Sequence, residues 1–231
     1  MTEIVYTSEV QADLIQHMGS DAVIANAARV STGQVGEYDD AKDASLIRYL
    51  MRKKHGSPFE HNSMTFLVEA PIFVAREFMR HRAGFSYHEV SGRYSVLEPK
   101  FYVPAEDRPL VNVGSSANPK FEAGDAGQAW RAGYNTRQSY AFAWGCYAEM
   151  IEVGIGNEVA RMVLPLGIMT SFYVTCNARS LMAFLALRTS DAGVSNPQHE
   201  IELVAKRLEE QFAILFPKTY ASFNEFGRVA P

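Results

Sequence analysis

Several classes of protein are excluded by what the sequence has little of. Only two cysteines occur among 231 residues, Cys146 and Cys176, and they form no C-x-x-C pair, so a disulfide framework and a zinc ribbon are not expected. No apolar run approaches the roughly 18 residues that cross a bilayer. The start of the chain, MTEIVYTSEV, has no signal-peptide pattern. We therefore expect a cytoplasmic protein without membrane contact.

The chain also has no excess of positive charge. Its 22 Lys and Arg residues are outnumbered by 26 Asp and Glu residues, for a formal net charge of -4, so extended binding of nucleic acid is not expected. The sequence lacks G-x-G-x-x-G, G-x-x-x-x-G-K-[ST], G-x-S-x-G and H-E-x-x-H segments. These absences argue against a Rossmann loop, a nucleophile elbow and a metal site. Chemistry without a nucleophile or a metal, at a site rich in arginine such as the segment 76–93 of this chain, indicates an organic cofactor.

The distribution of apolar residues predicts a single domain over 1–231. Hydrophobic residues make up 47% of the chain, and no repeat or charged linker interrupts them. The predicted class is α/β (α+β), with a mostly buried sheet packed by long helices. Predicted helices cover 8–18, 21–30, 39–56, 72–82, 127–153, a short segment from 157, 178–190 and 197–215, and predicted strands cover 63–70 and 172–176. The segment 104–126, rich in Pro, Gly, Ser and Asn, is predicted to be a long surface loop.

The densest group of charged residues lies in and after the apolar segment IFVAREFMRHR and comprises Arg76, Arg80, Arg82 and Arg93. Arg76 and Arg80 are one helical turn apart, where like charges destabilise a helix by a few tenths of a kcal/mol. A bound phosphate would relieve this repulsion, and Gly92 would let a ligand approach the backbone. The alternative is that Glu77 and Glu89 neutralise these arginines on a solvated surface.

A further arginine is predicted to lie on an apolar face. Arg188 falls on the same helical stripe as Leu181 and Phe184, so it needs a negative partner. Either an internal carboxylate such as Glu158 or a bound anion would satisfy it. Arg161 raises the same question.

His55 stands at the end of the predicted helix 39–56. A helix C-terminus favours the cationic form of histidine, so a capping role is the first interpretation of this residue. No histidine or cysteine nearby completes a metal-ligand spacing with it.

The segment RHRAGFSYHEVSGRY closely resembles the RHR-x7-S-x-R-Y motif of the flavin-dependent thymidylate synthases. The resemblance continues through HGSPFEH, APIFVARE, ARMVLPLG and NARSLMAFLALR, and covers most of residues 28–215. It implies an FAD enzyme that methylates C5 of dUMP to give dTMP. The implied carbon donor is methylenetetrahydrofolate and the implied reductant is NADPH, and no cysteine nucleophile is required.

The resemblance also implies roles for individual residues. The positions that match dUMP-binding residues are Glu77, Glu89, Val90, Ser91, Gly92, Arg93, Arg161 and Arg188. The positions that match FAD-contacting residues are Ser31, Arg80, His81, Arg82, Asn177, Arg179 and Leu187. Catalytic parts are implied for His55, Ser91 and Arg188, the last by stabilising negative charge that develops on uracil. Family members are homotetramers whose sites are shared between subunits, and we expect the same here.

The motif itself departs from the family pattern. Eight residues separate RHR from Ser91 in this chain, where the family has seven, which indicates a one-residue insertion at Ala83–Gly84. His88 stands where Asn is common. These features leave open a related reaction, such as transfer of a hydroxymethyl group to a pyrimidine nucleotide.

The second half of the chain departs from the pattern as well. Ala183 stands where an FAD-contacting Asn is often found, and Ala192 where a His is expected. A longer insert follows over 191–199, in which His199 is a candidate replacement for that histidine. A non-catalytic nucleotide-binding or RNA-binding homologue is therefore the alternative of a different class.

Overall fold

The structure of the chain is a computed structural model that describes residues 3–36, 39–191, 193 and 195–231. The strands are β1 Val5–Thr7, β2 Gln11–Met18, β3 Ser63–Pro71, β4 Phe85–Glu89, β5 Lys100–Tyr102, β6 Val111–Asn112, β7 Phe121–Glu122 and β8 Met169–Cys176. The helices are α1 Asp21–Arg29, α2 Asp40–Arg52, α3 Ile72–Phe78, α4 Ala126–Glu152, α5 Asn157–Ala160, α6 Ala178–Arg188, α7 His199–Leu215 and α8 Pro217–Glu225. The predicted mixture of helices and sheet is confirmed.

Two compact units are recognised among the described residues. The first unit falls within Met1–Val10, Glu69–Arg76 and Glu89–Ser171, and the second within Gln11–Val68, Glu77–His88 and Phe172–Pro231. The single-domain prediction for 1–231 stays a prediction.

The main sheet has four strands in the order β2-β3-β8-β4. Its strand β3 is covered on both faces, because Met64, Phe66 and Val68 are fully buried on one side and Thr65 is nearly so on the other. The imperfect alternation of this strand predicted that burial. Large aromatic side chains complete the core of the second unit and include Phe59, Phe78, Phe172, Phe184 and Phe212.

In the first unit, the long helix α4 packs through few residues. Trp144 and Tyr147 are its two buried side chains, and they join Phe101, Ala160 and Ile168 in one apolar cluster. The parallel strands β1 and β5 and the short antiparallel strands β6 and β7 lie in the same unit. The latter two form within the predicted loop 104–126, which is therefore more ordered than the sequence indicated.

Several helix starts follow the capping rules. The carboxylate of Asp39 accepts a hydrogen bond from the Lys42 N–H, so Asp39 caps α2 as the sequence predicted. Asp125 and Gln128 form a reciprocal capping box at α4. These caps satisfy N–H groups that have no partner inside the helix.

Some element predictions were wrong. The segment predicted as a helix over 8–18 forms strand β2; Ala12 and Leu14 turn toward the core with a period of two, and helix α7 packs on this strand. The predicted helix 72–82 ends at Phe78, because the N–H groups of Arg80 and His81 bond three residues back, to the carbonyls of Glu77 and Phe78. Helix α8 was not predicted.

No helix among the described residues is long and apolar enough to span a membrane.

Candidate functional site

A cleft of about 500 Å³ in the first unit collects five of the predicted nucleotide-binding residues. These residues are Glu89, Val90, Ser91, Gly92 and Arg161. Glu158 and Thr170 add polar groups to the same wall, and Leu97, Leu164 and Ile168 form apolar parts of it. Residues about 70 positions apart in the chain therefore share one concave surface.

The segment after β4 turns tightly along this cleft. The Val90 N–H donates to the Ser171 carbonyl at 2.9 Å, which anchors the start of the turn. The Ser91 carbonyl then accepts from the N–H groups of Tyr94 and Ser95 at 3.1 and 3.2 Å. Gly92 is buried, and a Cβ on it would come within 3.0 Å of Leu97. A larger residue at this position would crowd the Leu97 side chain, and glycine leaves the backbone open to a ligand.

The charged side chains of the cleft are only partly paired with one another. Glu89 accepts a hydrogen bond from the buried Thr170 hydroxyl at 2.7 Å. The Arg93 Nε lies 3.2 Å from an oxygen of Glu158. Arg161 is exposed, and no carboxylate among the described residues pairs with it. The Arg161 guanidinium can therefore bind an anion without first breaking an ion pair.

In the second unit, Arg188 is held by two side chains. Its Nη1 donates to the Glu77 carboxylate at 2.6 Å, and its Nε donates to His81 Nε2 at 3.0 Å. The His81 ring also contacts Phe184 edge-on, with 4.8 Å between centroids. The prediction that Arg188 emerges from an apolar face and needs a negative partner agrees with this geometry. The suggested partner Glu158 was wrong, because Glu77 takes that place.

Burial shifts the pKa values of both partners of Arg188. Burial, and then the neighbouring Arg188 charge, lower the pKa of His81 to about 4, so the imidazole is neutral near pH 7. Its Nε2 accepts a hydrogen bond from Arg188 Nε. Burial raises the pKa of Glu77, and Glu200 adds to this, while Arg188 opposes it. Burial likewise raises the pKa of Tyr87, whose hydroxyl lies 2.7 Å from the His81 carbonyl. The sequence analysis did not single out Tyr87, because no motif or spacing indicates a hydrogen bond from its hydroxyl to the His81 backbone.

Two predicted flavin contacts are exposed cations. Arg80 and Arg82 lie beyond the end of α3, and neither has an ion pair within the described part of the chain. The like-charge argument for Arg76 and Arg80 was wrong, because Arg80 lies outside the helix. The two guanidinium groups on either side of His81 suit an anionic diphosphate.

Helix α6 presents two different faces. Leu181, Phe184 and Leu185 are fully buried, whereas Arg179, Ala183 and Leu187 are exposed at i, i+4 and i+8. The flavin positions predicted on this helix therefore share one face.

The start of α6 packs against Gly84, in the segment that follows RHR. Asn177 caps the helix by accepting from the Ser180 N–H at 2.9 Å. Gly84 adopts a φ of 68°, and a Cβ on it would lie 2.1 Å from the Ser180 hydroxyl and 3.1 Å from Asn177 Nδ2. Gly84 therefore packs directly on this helix cap, and the predicted insertion at Ala83–Gly84 stays a prediction.

Other predicted residues have protein partners. Arg179 bonds to Glu60 at 2.5 Å and to the Pro231 carbonyl at 2.6 Å. The Ser31 hydroxyl donates to the Ala28 carbonyl at 2.8 Å. These two residues would have to exchange partners in order to contact a cofactor through the same atoms.

The backbone of His55 caps the end of helix α2, and the His55 ring is exposed. The His55 N–H donates to the Leu50 carbonyl at 3.0 Å, and Lys54 before it adopts a φ of 57°. The imidazole meets the Tyr49 ring edge-on at 5.9 Å. The side chain is therefore not needed to end the helix.

The insert after α6 is described in part. Ala192 lies outside the described residues. His199 is the first residue of α7, so its part as a replacement for the missing histidine stays a prediction. Within the described residues, no group of three His, Cys, Asp or Glu side chains could hold a metal ion.

Comparison with known proteins gives concordant matches. The family model described as thymidylate synthase complementing protein matches residues 13–218. A flavin-dependent thymidylate synthase of Streptomyces avermitilis is 51% identical over 98% of this chain and 95% of its own length. One from Thermotoga neapolitana is 42% identical over 93% of this chain and 91% of its own.

Among solved structures, the UMP/dUMP methylase PolB from Streptomyces cacaoi bound with 5-Br UMP has a TM-score of 0.92 and 43% identity. The match covers 99% of both chains. The same methylase bound with 5-Br dUMP has a TM-score of 0.90. Since sequence and structure agree over nearly the whole length, this chain belongs to the flavin-dependent thymidylate synthase family.

Proposed function

We propose that this chain methylates C5 of dUMP to give dTMP, with FAD as its flavin, methylenetetrahydrofolate as carbon donor and NADPH as reductant. The observation that carries the proposal is the cleft that joins Glu89, Val90, Ser91 and Gly92 to Arg161. Its volume of about 500 Å³ is in the range of small-molecule sites. The assignment of individual residues to nucleotide or flavin is part of the proposal.

The cleft offers the charged and polar groups that would bind a nucleoside monophosphate. Arg161, which has no carboxylate partner among the described residues, is suited to the phosphate. The Glu89 carboxylate is held by Thr170 through one oxygen, and its other oxygen can accept from a ribose hydroxyl. Ser91 is proposed to contribute a hydroxyl at the same wall and no covalent chemistry.

The chemistry has to activate uracil without a thiolate. Burial raises the pKa of the Cys176 thiol to about 12, so this cysteine is not an available nucleophile. We assign the activation to Arg188, whose planar guanidinium is fixed by Glu77 and His81 and can stabilise negative charge on the pyrimidine. His55, with its exposed ring, is proposed to act near the flavin.

The residues proposed for the flavin fit an anionic dinucleotide. Arg80 and Arg82 are unpaired within the described residues, and the exposed face of α6 carries Arg179, Ala183 and Leu187. When bound, the flavin supplies the reducing equivalents for the transferred carbon. Neutral His81 adds an uncharged surface between the two free arginines.

We propose further that the chain works in the cytoplasm as a homotetramer, with each site completed by more than one subunit and 1–231 acting as one functional domain. Large exposed aromatic side chains on α4 support an interface between subunits, since Trp130 is 62% and Phe142 is 77% exposed.

The test is to record the visible spectrum of the purified protein and then add dUMP, methylenetetrahydrofolate and NADPH under low oxygen. We expect flavin absorbance and a product with the mass of dTMP. A product heavier by one oxygen would indicate hydroxymethylation, and a colourless protein that cannot take up FAD would favour a non-catalytic nucleotide-binding role.

UMP is a second candidate substrate. The structural match at a TM-score of 0.92 is to a UMP/dUMP methylase, which favours testing the ribonucleotide beside dUMP. Methylation of UMP in the same assay would extend the proposal, and turnover of dUMP alone would restrict it.

A further inference from the structure

Arg93 is a predicted nucleotide-binding residue, yet its guanidinium is held by a neighbouring side chain. The cleft wall includes the residues before Arg93 and also Glu158, whereas Arg93 is not part of that wall. Its Nε lies 3.2 Å from one Glu158 oxygen and its Nη2 lies 3.5 Å from the other. The guanidinium also lies 5.7 Å from the centre of the Tyr94 ring.

The ion pair between Arg93 and Glu158 can be broken at a low cost in free energy. The side chains of Arg93 and Glu158 are 49% and 59% exposed. Exposed ion pairs contribute at most about 1 kcal/mol, and water can replace either partner. A ligand that carries two negative charges can therefore compete with a single carboxylate for this guanidinium.

We propose that Glu158 holds Arg93 away from the cleft, and that the 5′-phosphate of the incoming nucleotide replaces Glu158 as its partner. This inference rests on the proposed function, because it concerns the same nucleotide cleft. Glu158 thereby lowers the affinity for phosphorylated ligands: a nucleotide has to displace it from Arg93, whereas a nucleoside has no phosphate and leaves the pair intact.

The charge balance of the cleft explains why this exchange of partners changes the affinity for dUMP. Arg93 and Arg161 are offset by Glu89 and Glu158, so the site carries no net charge from these four groups. Glu158 opposes an approaching phosphate by like-charge repulsion and by occupying Arg93. Replacing its carboxylate by a neutral amide of the same shape removes the repulsion and weakens the hold on Arg93.

The experiment measures binding to the full-length, flavin-loaded protein by titration calorimetry with dUMP and, separately, with deoxyuridine. We expect Glu158→Gln to bind dUMP about fivefold more tightly, which corresponds to the upper value for an exposed pair. Deoxyuridine affinity should be unchanged. The matched control is Glu152→Gln, an exposed glutamate at the end of α4, which should bind both ligands as the wild type does.

A second variant separates release of Arg93 from a general change of charge. In an Arg93→Gln background, Glu158→Gln should tighten dUMP by clearly less than fivefold, because no guanidinium is left to release. Weaker or unchanged dUMP binding in Glu158→Gln, with normal flavin content and melting temperature, would overturn the exchange. An equal gain for dUMP and deoxyuridine would overturn it too. If the wild type fails to bind dUMP at all, the proposed function itself is wrong.

Discussion

At the scale of single residues, Arg188 is the side chain on which the most chemistry depends. It donates through separate nitrogens to Glu77 and His81, so its plane is fixed before any ligand arrives. Such preorganisation avoids a reorganisation cost at the moment when charge develops on the substrate. A lysine in the same place could pair with Glu77 but could not also reach His81 in the same geometry.

We expect Arg188→Ala to abolish measurable dUMP binding while flavin absorbance remains, because the variant removes the guanidinium fork and leaves the Glu77 carboxylate facing the ligand. The check is a dUMP titration of the flavin-loaded protein beside its visible spectrum. Arg188→Lys is the matched control and should weaken binding by about tenfold, the value of one charge-assisted hydrogen bond. Loss of flavin and nucleotide together in both variants would show that the role of Arg188 lies elsewhere.

The depressed pKa of His81 predicts a pH effect on stability. The folded pKa is about 4 against 6.5 for the free side chain, so the unfolded chain binds more protons between these values. The contribution of neutral His81 is thus fully present above pH 6.5 and declines as the pH falls toward 4. Glu77, whose pKa is raised, acts in the opposite direction as the pH rises.

We therefore expect His81→Gln to lose less stability than the wild type between pH 7 and pH 4.5, since glutamine can accept from Arg188 without titrating. The free energy of unfolding in urea, measured at both pH values, gives the difference between the two proteins. Because Glu77 is present in each, its opposing contribution largely cancels. A difference that does not change with pH would contradict the low pKa.

At the scale of elements, the turn after RHR and the start of α6 form one structural unit. Gly84 adopts a left-handed conformation and lies against Ser180 and Asn177, and Asn177 in turn caps the helix. Glycine is therefore the residue type that fits both the backbone angle and the narrow space at this position.

Gly84→Ala is expected to destabilise the protein by about 1–3 kcal/mol more than Gly154→Ala, because only the former adds overpacking to backbone strain. Gly154 is the matched control: its φ is 83°, and nothing lies within 4 Å of a Cβ built there. Urea unfolding measures both variants, and flavin content after purification reports on the cap. Equal losses of stability would show that Ser180 moves aside freely.

The elements also show which structural features a single sequence can predict. Helices α4 and α7 were predicted to within two residues at both ends by their apolar periodicity. The start of α2 was predicted from its Asp cap, although the helix ends at Arg52, four residues before the predicted end. The strand Gln11–Met18 was mistaken for a helix, since its apolar residues fit either period and the packing of α7 decides the outcome. The partner of Arg188 was also missed, because Glu77 is 111 residues away in the chain.

At the scale of the whole molecule, the predicted site residues divide between the two compact units. Arg161 and the segment from Glu89 to Arg93 belong to the first, whereas Arg80, Arg82 and Arg188 belong to the second. One subunit need not supply all the groups of one site. The sequence of a single chain does not indicate which subunit supplies which residue. The proposal of a tetramer with shared sites therefore has to be tested by mixing chains.

We expect two inactive variants, Arg82→Ala for the flavin and Arg161→Ala for the nucleotide, to regain turnover when they are expressed together. In a mixed tetramer, some sites take Arg82 from a subunit that carries Arg161→Ala and take Arg161 from a subunit that carries Arg82→Ala. Both arginines of such a site are normal, so the site is intact. Formation of dTMP by the purified mixed protein is the measurement, with each variant alone and the double variant Arg82→Ala/Arg161→Ala as controls. If mixed tetramers form, as different affinity tags on the two chains would show, and still make no dTMP, each subunit supplies both arginines to its own site, because no combination of such subunits could then restore an intact pair.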